Sequence, residues 1–399
     1  MAGRSPLTLG VLGRDAVVAG IVAAARGRGW GVVEAGDQSN DGPGVIPWTA
    51  LLDAERCDAV AVGGDGWNAT RAEAVRTLVQ AGRTLVLGQP LDLSMLWAFE
   101  LDMIARDSGA RLVPALPDRL HPCIASLRAA VEAAAGAPGP RGALESIRLE
   151  RTMRDRSREA VLAALSRDVD IVRVLVGDPA RVTALGAGDP DAAWATLAVG
   201  LTGPAQVPAR WQVTAGDQPG LRISLQHAGG SEEVFAPDGP GPWTASAPLP
   251  QPGAFDRGAV ILDLLAATID GRQPAAPTAV PPAAWLDAAR ALEIAEAVPR
   301  SLARGRAIDL HREEFSELGT FKGTMASLGC GIVLAALVLA VVATLVAGVA
   351  IELDWELGKT VAAAWPAVVL AAMVAFLALQ FLPAIVGADG PDRERPEGH

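Results

Sequence analysis

Hydrophobic and polar positions along residues 7–120 follow two rhythms. Short apolar runs at 7–12, 31–35, 58–62, 84–87 and 111–115 predict strands, and longer amphipathic runs at 16–26, 69–81 and 93–108 predict the helices between them. Strands that alternate with helices require right-handed crossovers. Residues 1–120 are therefore expected to form a doubly wound parallel sheet covered by helices on both faces. Residues 118–135 predict one more helix, and the Gly- and Pro-rich stretch 136–142 predicts a hinge. Beyond it the order changes. A strand over 144–150 and a helix over 158–176 are followed by strands at 182–185, 193–201, 209–213 and 221–226, which suggests a mostly antiparallel sheet in an α+β domain spanning 121–311. The Pro- and Gly-rich stretch 236–255 reads as a surface loop. Helices over 257–269 and 281–304 close the domain before a short apolar run at 306–310. No internal repeat is evident.

The last quarter of the chain is different. No charged residue occurs from Gly323 to Ile351, nor from Thr360 to Ala388. Runs of this length exceed the ~20 residues needed to cross a bilayer, so 328–351 and 362–386 are expected to be transmembrane helices, with 312–327 as linker, 352–361 as an extracytoplasmic loop and 387–399 as a cytoplasmic tail. Trp365 and Phe381 sit near the ends of the second run as interface aromatics. The loop is net acidic, whereas Lys322 precedes the first span and Arg393 and Arg395 follow the second. By the positive-inside rule the globular part then faces the cytoplasm at the inner membrane. The apolar stretch at 7–12 is too short for a secretory signal.

Composition narrows the chemistry. Of 399 residues, 50% are hydrophobic and 20% charged, an average over an ordinary two-domain fold and an apolar tail. A net charge of -11 disfavours a nucleic-acid partner, because phosphate backbones are held by clustered cations. The only lysines are Lys322 and Lys359, and tyrosine is absent, so no lysine amine or phenol serves the globular part. Cys57, Cys123 and Cys330, and His121, His227, His311 and His399, show no metal-ligand spacing, and no metal site is expected.

The first predicted strand runs into Gly10-Val-Leu-Gly13-Arg-Asp15-Ala-Val-Val18, where a dinucleotide fold places G-x-G-x-x-G. Aligned on Gly13, the second glycine is replaced by Asp15 and the third by Val18, and an aspartate there sets negative charge against a diphosphate. Glu34 and Asp37 end the second strand, where a ribose-binding acid is expected, or are solvated strand-end carboxylates; Gly63 follows the third strand.

A longer arrangement is more specific. Asp58-Ala-Val-Ala-Val62, then Ala81-Gly-Arg-Thr-Leu-Val-Leu-Gly-Gln-Pro-Leu91, Arg167-Asp-Val-Asp170 leading to Leu175-Val-Gly177-Asp-Pro179 with Val182, and Ser301 to Leu310 resemble, in order, the motifs of the Gfo/Idh/MocA oxidoreductases, the glucose-fructose oxidoreductase and inositol dehydrogenase type. The resemblance covers nearly all of 7–311. It implies a Rossmann-like NAD(P)-binding domain joined to an open-sheet α+β domain, with hydride transfer at a sugar or polyol carbon. The family's E-K-P reads Gly88-Gln89-Pro90 here, and its acid/base histidine falls on Arg167. Gln89 cannot carry a proton, and arginine is no base near neutral pH.

The resemblance thus offers Gln89, Arg167 and Asp170 as catalytic positions and Gly10, Gly13, Asp15, Asp37, Gly63 and Pro90 as cofactor contacts. Asp170 is a substrate ligand, a base, or an ion-pair partner of Arg167 or Arg173. His121, with Arg119, follows the fifth strand at the sheet's ligand-binding edge, as an acid/base or as a structural histidine. The basic run 151–158 is a solvated helix start or a cleft for an acidic ligand. Three readings follow. The favoured one is a membrane-anchored, catalytically impaired member, with NAD(P) retained or lost, that binds a nucleotide or sugar ligand or acts as a scaffold. The second is an active oxidoreductase with a rearranged site. The third is a structural subunit that binds a membrane protein or a second copy.

Overall fold

The computed structural model describes residues 7–36, 45–136, 142–187, 192–204, 207–239, 241–247, 249, 253–272 and 279–310, with positions 341, 342, 344, 345, 348 and 349 of the tail. The chain divides into two compact units, Met1–His311 and Arg312–His399. In the second unit the six described positions are helical. The rest of the expected spans 328–351 and 362–386, with linker, loop and tail, lies outside the described residues, as does Asp37. Among the described residues no helix is long and apolar enough to cross a membrane.

The first unit opens with β1 (Thr8–Leu12), α1 (Ala16–Gly27), β2 (Gly31–Gly36), β3 (Ile46–Pro47), β4 (Ala59–Val62), α2 (Ala69–Gln80), β5 (Thr84–Leu87), α3 (Met95–Ser108) and β6 (Arg111–Pro114). The strands form one parallel sheet in the order β3-β2-β1-β4-β5-β6, with the order reversing at β1 and β4, where such sheets open a crevice beyond their carboxyl ends. Helix starts follow local chemistry: Asp15, Asn68 and Ser94 each accept a backbone N–H of the first turn of α1, α2 and α3.

After a 3-10 turn at Pro117–Leu120 come α4 (Pro122–Gly136), β7 (Leu144–Thr152), α5 (Arg158–Val176), β8 (Arg181–Leu185), β9 (Ala198–Thr202), β10 (Ala209–Thr214), β11 (Gly220–His227), β12 (Gly230–Pro237), β13 (Thr244–Ala245), α6 (Arg257–Ile269), α7 (Trp285–Arg304) and β14 (Ile308–Asp309). The second sheet has the order β13-β12-β11-β7-β10-β9-β8-β14. It is antiparallel except where β7 and β10 run parallel at its centre. Its inner face, Ile147, Leu149, Trp211, Ile223 and Leu225, shares a core with Val161, Leu165, Val169 and Val172 of α5.

The helices after the second sheet return to the first. Ile261, Leu262 and Leu265 of α6 join Val18 and Ile21 of α1 on one face. Trp285 and Leu292 of α7 join Val75, Leu78 and Leu101 on the other, and the Trp285 indole donates to the Ala98 carbonyl at 2.9 Å.

Several expectations need correction. The helix expected over 118–135 is interrupted at His121, because Pro122 cannot continue a helix from the preceding turn. The strand expected over 193–201 is a 3-10 turn at Ala192–Thr196 followed by β9. The stretch 236–255 is no surface loop: it holds the end of β12 and β13, with Trp243 and Leu249 buried. The short edge strand β3 carried no readable pattern.

Candidate functional site

The turn after β1 lies at the crevice. Gly13 has φ +74°, a left-handed conformation natural to glycine, and a Cβ there would come within 2.5 Å of the Arg71 guanidinium. Arg71 donates to the carbonyls of Gly63 (3.1 Å) and Asp65 (2.6 Å), and Asp65 N–H donates to Arg14 O at 2.8 Å, so the loops after β1 and β4 are tied together. Gly10 packs inside the sheet, facing Leu51 and Cys57.

Asp15 sits where the helix N-terminus would face a pyrophosphate. One carboxylate oxygen accepts the Val18 N–H at 2.7 Å, capping α1, and the other accepts the Gly64 N–H at 2.9 Å. These amides and the positive end of the helix dipole are the donors that a phosphate would use. The carboxylate fits because residue 88 is glycine: a Cβ on Gly88 would lie 2.6 Å from its Oδ2. Gly88 is the first position of the segment compared with E-K-P, and the absence of a side chain there makes room for the carboxylate at 15. Glu34, at the end of β2, forms ion pairs with Arg14 and Arg26.

Gln89 and Pro90 follow β5, joined by a cis peptide bond. The Gln89 carbonyl accepts from Arg167 of α5 at 3.5 Å, so the structure brings Gln89 and Arg167 together. The Arg167 side chain is exposed, and the protein packed around it together with the like charge of Arg151 pulls its pKa down. Asp170 lies one turn further along α5, 1% exposed, 3.0 Å from Arg119 and 3.8 Å from Arg173. Both arginines also hold Asp287 of α7, at 3.2 and 2.9 Å. Burial pushes the Asp170 carboxyl up to about 6 against the pull of the two arginines.

His121 is 1% exposed and stacks on Trp243, with ring centroids 3.8 Å apart, while Phe255 meets it edge-on at 4.7 Å. Its Nδ1 accepts the Cys123 N–H at 3.1 Å, and burial lowers its pKa to about 4, so the ring is neutral near pH 7. This is a packing role. Among the described residues no group of His, Cys, Asp and Glu is placed to hold a metal ion.

No protein-family model matches the sequence, and no curated protein matches it. Solved structures do. A myo-inositol dehydrogenase from Corynebacterium glutamicum is 17% identical, covering 77% of this chain and 99% of its own, with a TM-score of 0.56. An oxidoreductase from Sinorhizobium meliloti is 18% identical over 77% of this chain and 100% of its own, at 0.57. A levoglucosan dehydrogenase, solved with NADH and L-sorbose, is 16% identical over 77% and 100%, at 0.57. The chain shares the fold of these dehydrogenases and oxidoreductases. At these identities the likeness speaks for the architecture, a parallel sheet followed by a mixed one, and the chemistry rests on the residues described above.

Sequence reasoning missed two features. Asp15 was legible as a misplaced charge, but its pairing with Gly64 and its dependence on Gly88 join positions far apart in the chain. Arg151 forms a buried fork on Asp168 (Nε to Oδ2 2.8 Å), which also accepts the Trp211 indole N–H at 2.8 Å, and pairs with Asp238. It is neither a solvated helix start nor a free cation. A cavity of about 790 Å3, lined by Leu93, Arg158, Leu162, Ala295, Pro299 and Arg300 among others, takes in Arg158 from the basic run 151–158 but none of the candidate catalytic or cofactor residues.

Proposed function

We propose that this protein is a membrane-anchored member of the Gfo/Idh/MocA type that has given up ordinary nicotinamide chemistry and binds a small ligand in the crevice between its two sheets. One observation carries the reading: the Asp15 carboxylate already takes the Val18 and Gly64 amides that a dinucleotide pyrophosphate would need. A pyrophosphate entering there must break two charge-assisted hydrogen bonds, each worth ~1.5–3 kcal/mol, and meet a like charge. That weakens binding by roughly two to four orders of magnitude. Glu34, held by Arg14 and Arg26, is likewise taken from a ribose.

The reacting position points the same way. Gln89 and Arg167 stand where the resemblance implies a lysine and a histidine, and neither moves a proton near neutral pH. The reading with a rearranged active site would use Asp170 or His121. Asp170 is enclosed by Arg119 and Arg173, and His121 is enclosed by aromatic rings, so neither reaches a ligand in the crevice.

Titration of the full chain with NADH and NADPH, followed by nicotinamide fluorescence, tests this directly. The expected result is no saturable binding at micromolar concentrations. Micromolar binding with turnover of a sugar or polyol would overturn it. The uncharged segments 323–351 and 360–388 support anchoring in the inner membrane with residues 7–311 on the cytoplasmic side. Carbonate extraction of membranes should leave the full chain in the pellet and release a chain ending at residue 311.

A further inference from the structure

Helix α7 is shared by two cores of the first unit. Its Trp285, Ala288 and Leu292 pack with the helices of the first sheet, and its Ile294, Ala295 and Val298 join the core of the second. A cluster of arginines and aspartates holds its first turn in place. Arg119, from the turn at Pro117–Leu120, meets Asp170 of α5 at 3.0 Å and Asp287 of α7 at 3.2 Å. Arg173 of α5 meets Asp287 at 2.9 Å and Asp178 at 2.5 Å, and donates to the Asp287 carbonyl at 2.7 Å. Two guanidinium groups thus face three carboxylates, and the cluster is one positive charge short.

Exposure decides which carboxylate bears the shortfall. Asp178 and Asp287 keep 32% and 26% of their side chains open to water, and Asp287 also accepts the Ala284 N–H at 2.8 Å. Asp170 keeps 2%. Its one hydrogen bond among the described residues comes from an Arg119 nitrogen that it shares with Asp287, and Arg173 stands off at 3.8 Å. Other charged groups on the surrounding elements are engaged elsewhere: Asp118 with Arg257, Asp168 with Arg151, Arg290 with Glu293, and Arg128 of α4 with Glu132. Arg167 lies at the Gln89 carbonyl, and Arg210 of β10 is exposed. A carboxylate cut off from water with an incomplete counter-charge is costly to keep ionised. Burial accordingly pushes the Asp170 carboxyl up to about 6 from an ordinary 3.8, against the pull of Arg119 and Arg173.

We infer that this joint is a pH-sensitive latch: Asp170 takes up a proton in mild acid, and α7 is then held more firmly to α5 and to the turn after β6 than at neutral pH. Protonation leaves two carboxylates facing two guanidinium groups and removes the buried excess charge. A carboxyl raised in the closed joint binds its proton more tightly there than in the opened one, so the closed joint gains stability as pH falls from about 7 towards 4. An aspartate in a fully balanced ion pair does the reverse. The latch does not depend on what the crevice binds.

Hydrogen exchange of the full chain, read by mass spectrometry on peptides covering residues 285–296, tests it against Asp170→Asn, a neutral isostere that cannot titrate. Values of 6 closed and 3.8 open make the protection of the parent relative to the variant rise about tenfold between pH 7.5 and 5. His121 titrates in both proteins and drops out of the ratio. A purely structural ion pair would leave the ratio flat or make it fall in acid, and either result overturns the inference. Infrared spectra of the parent need no variant and decide the matter if Asp170→Asn does not fold. One carboxyl should protonate with a midpoint near 6, apart from the ordinary carboxyls near 4, and the absence of any carboxyl protonating above pH 5 overturns the latch.

Discussion

Replacing Asp15 tests whether its carboxylate is an integral part of the turn. Asp15→Ala keeps the backbone and Cβ but removes both acceptors. Loss of the α1 cap costs ~1 kcal/mol, and leaving the Gly64 amide unsatisfied in a closely packed turn costs a further ~1–2 kcal/mol. The sum is about 2–3 kcal/mol, which at ~2–4 °C per kcal/mol predicts a fall of roughly 5–10 °C in melting temperature. Asp15→Asn retains the oxygen that accepts from Val18 but presents an amide NH2 that cannot accept from Gly64, and should fall by about half as much. Gly88 gives the argument an internal control. A Cβ at 88 would lie 2.6 Å from Asp15 Oδ2 and 3.2 Å from Val62 O, so Gly88→Ala should destabilise by ~1–3 kcal/mol. Most of that cost should vanish in the Asp15→Ala background, leaving a coupling of ~1–2 kcal/mol in a double-mutant cycle. Thermal melts of the four proteins give the cycle. If Asp15→Ala melts within ~1 °C of the parent, or if the two effects simply add, the carboxylate is not held between α1 and Gly64 and the case against a pyrophosphate there collapses.

Two further predictions concern buried groups. His121 titrates near 4 in the fold against an ordinary 6.5, so the unfolded chain takes up its proton first as pH falls. The associated stability is intact above pH 6.5 and is lost progressively down to about 4, up to about 3 kcal/mol, whereas the raised carboxyl of Asp170 works in the opposite sense over an overlapping range. Comparing His121→Phe with the parent isolates the histidine: the variant should lose less melting temperature between pH 6.5 and 4.5, and parallel curves would refute the assignment. Arg119→Met, which keeps the unbranched apolar stem of the side chain but strips Asp170 of its nearer cation, should cost ~3–5 kcal/mol in urea denaturation, and a loss under ~1 kcal/mol would show that Arg173 alone balances the carboxylate.

Much of the fold was legible because it follows from local rules. Alternating apolar runs and helical faces located β1, β2, β4, β5, α1, α2, α5 and α6 to within a residue or two, since their burial is repeated at every turn or every second residue. The edge strands β3 and β13 escaped because two residues establish no period, and β12 because its glycines and charges resemble a loop. Of the candidate site, the sequence singled out Asp15, Gln89 and Arg167, the positions where it departs from the motifs it resembles.

What those residues do was decided by the tertiary structure. Hydrogen bonds and ion pairs are short-ranged, and their partners here come from distant parts of the chain: Asp15 meets Gly64 and Gly88, Asp170 meets Arg119, and His121 meets Trp243. The return of α6 and α7 to the first sheet is of the same kind, because an amphipathic helix carries its apolar face in its sequence but not the address of the surface that will cover it. The sequence thus determined which residue types stand at the positions of interest. Only folding showed that the carboxylate at 15 accepts the Val18 and Gly64 amides and that Arg167 lies beside the Gln89 carbonyl.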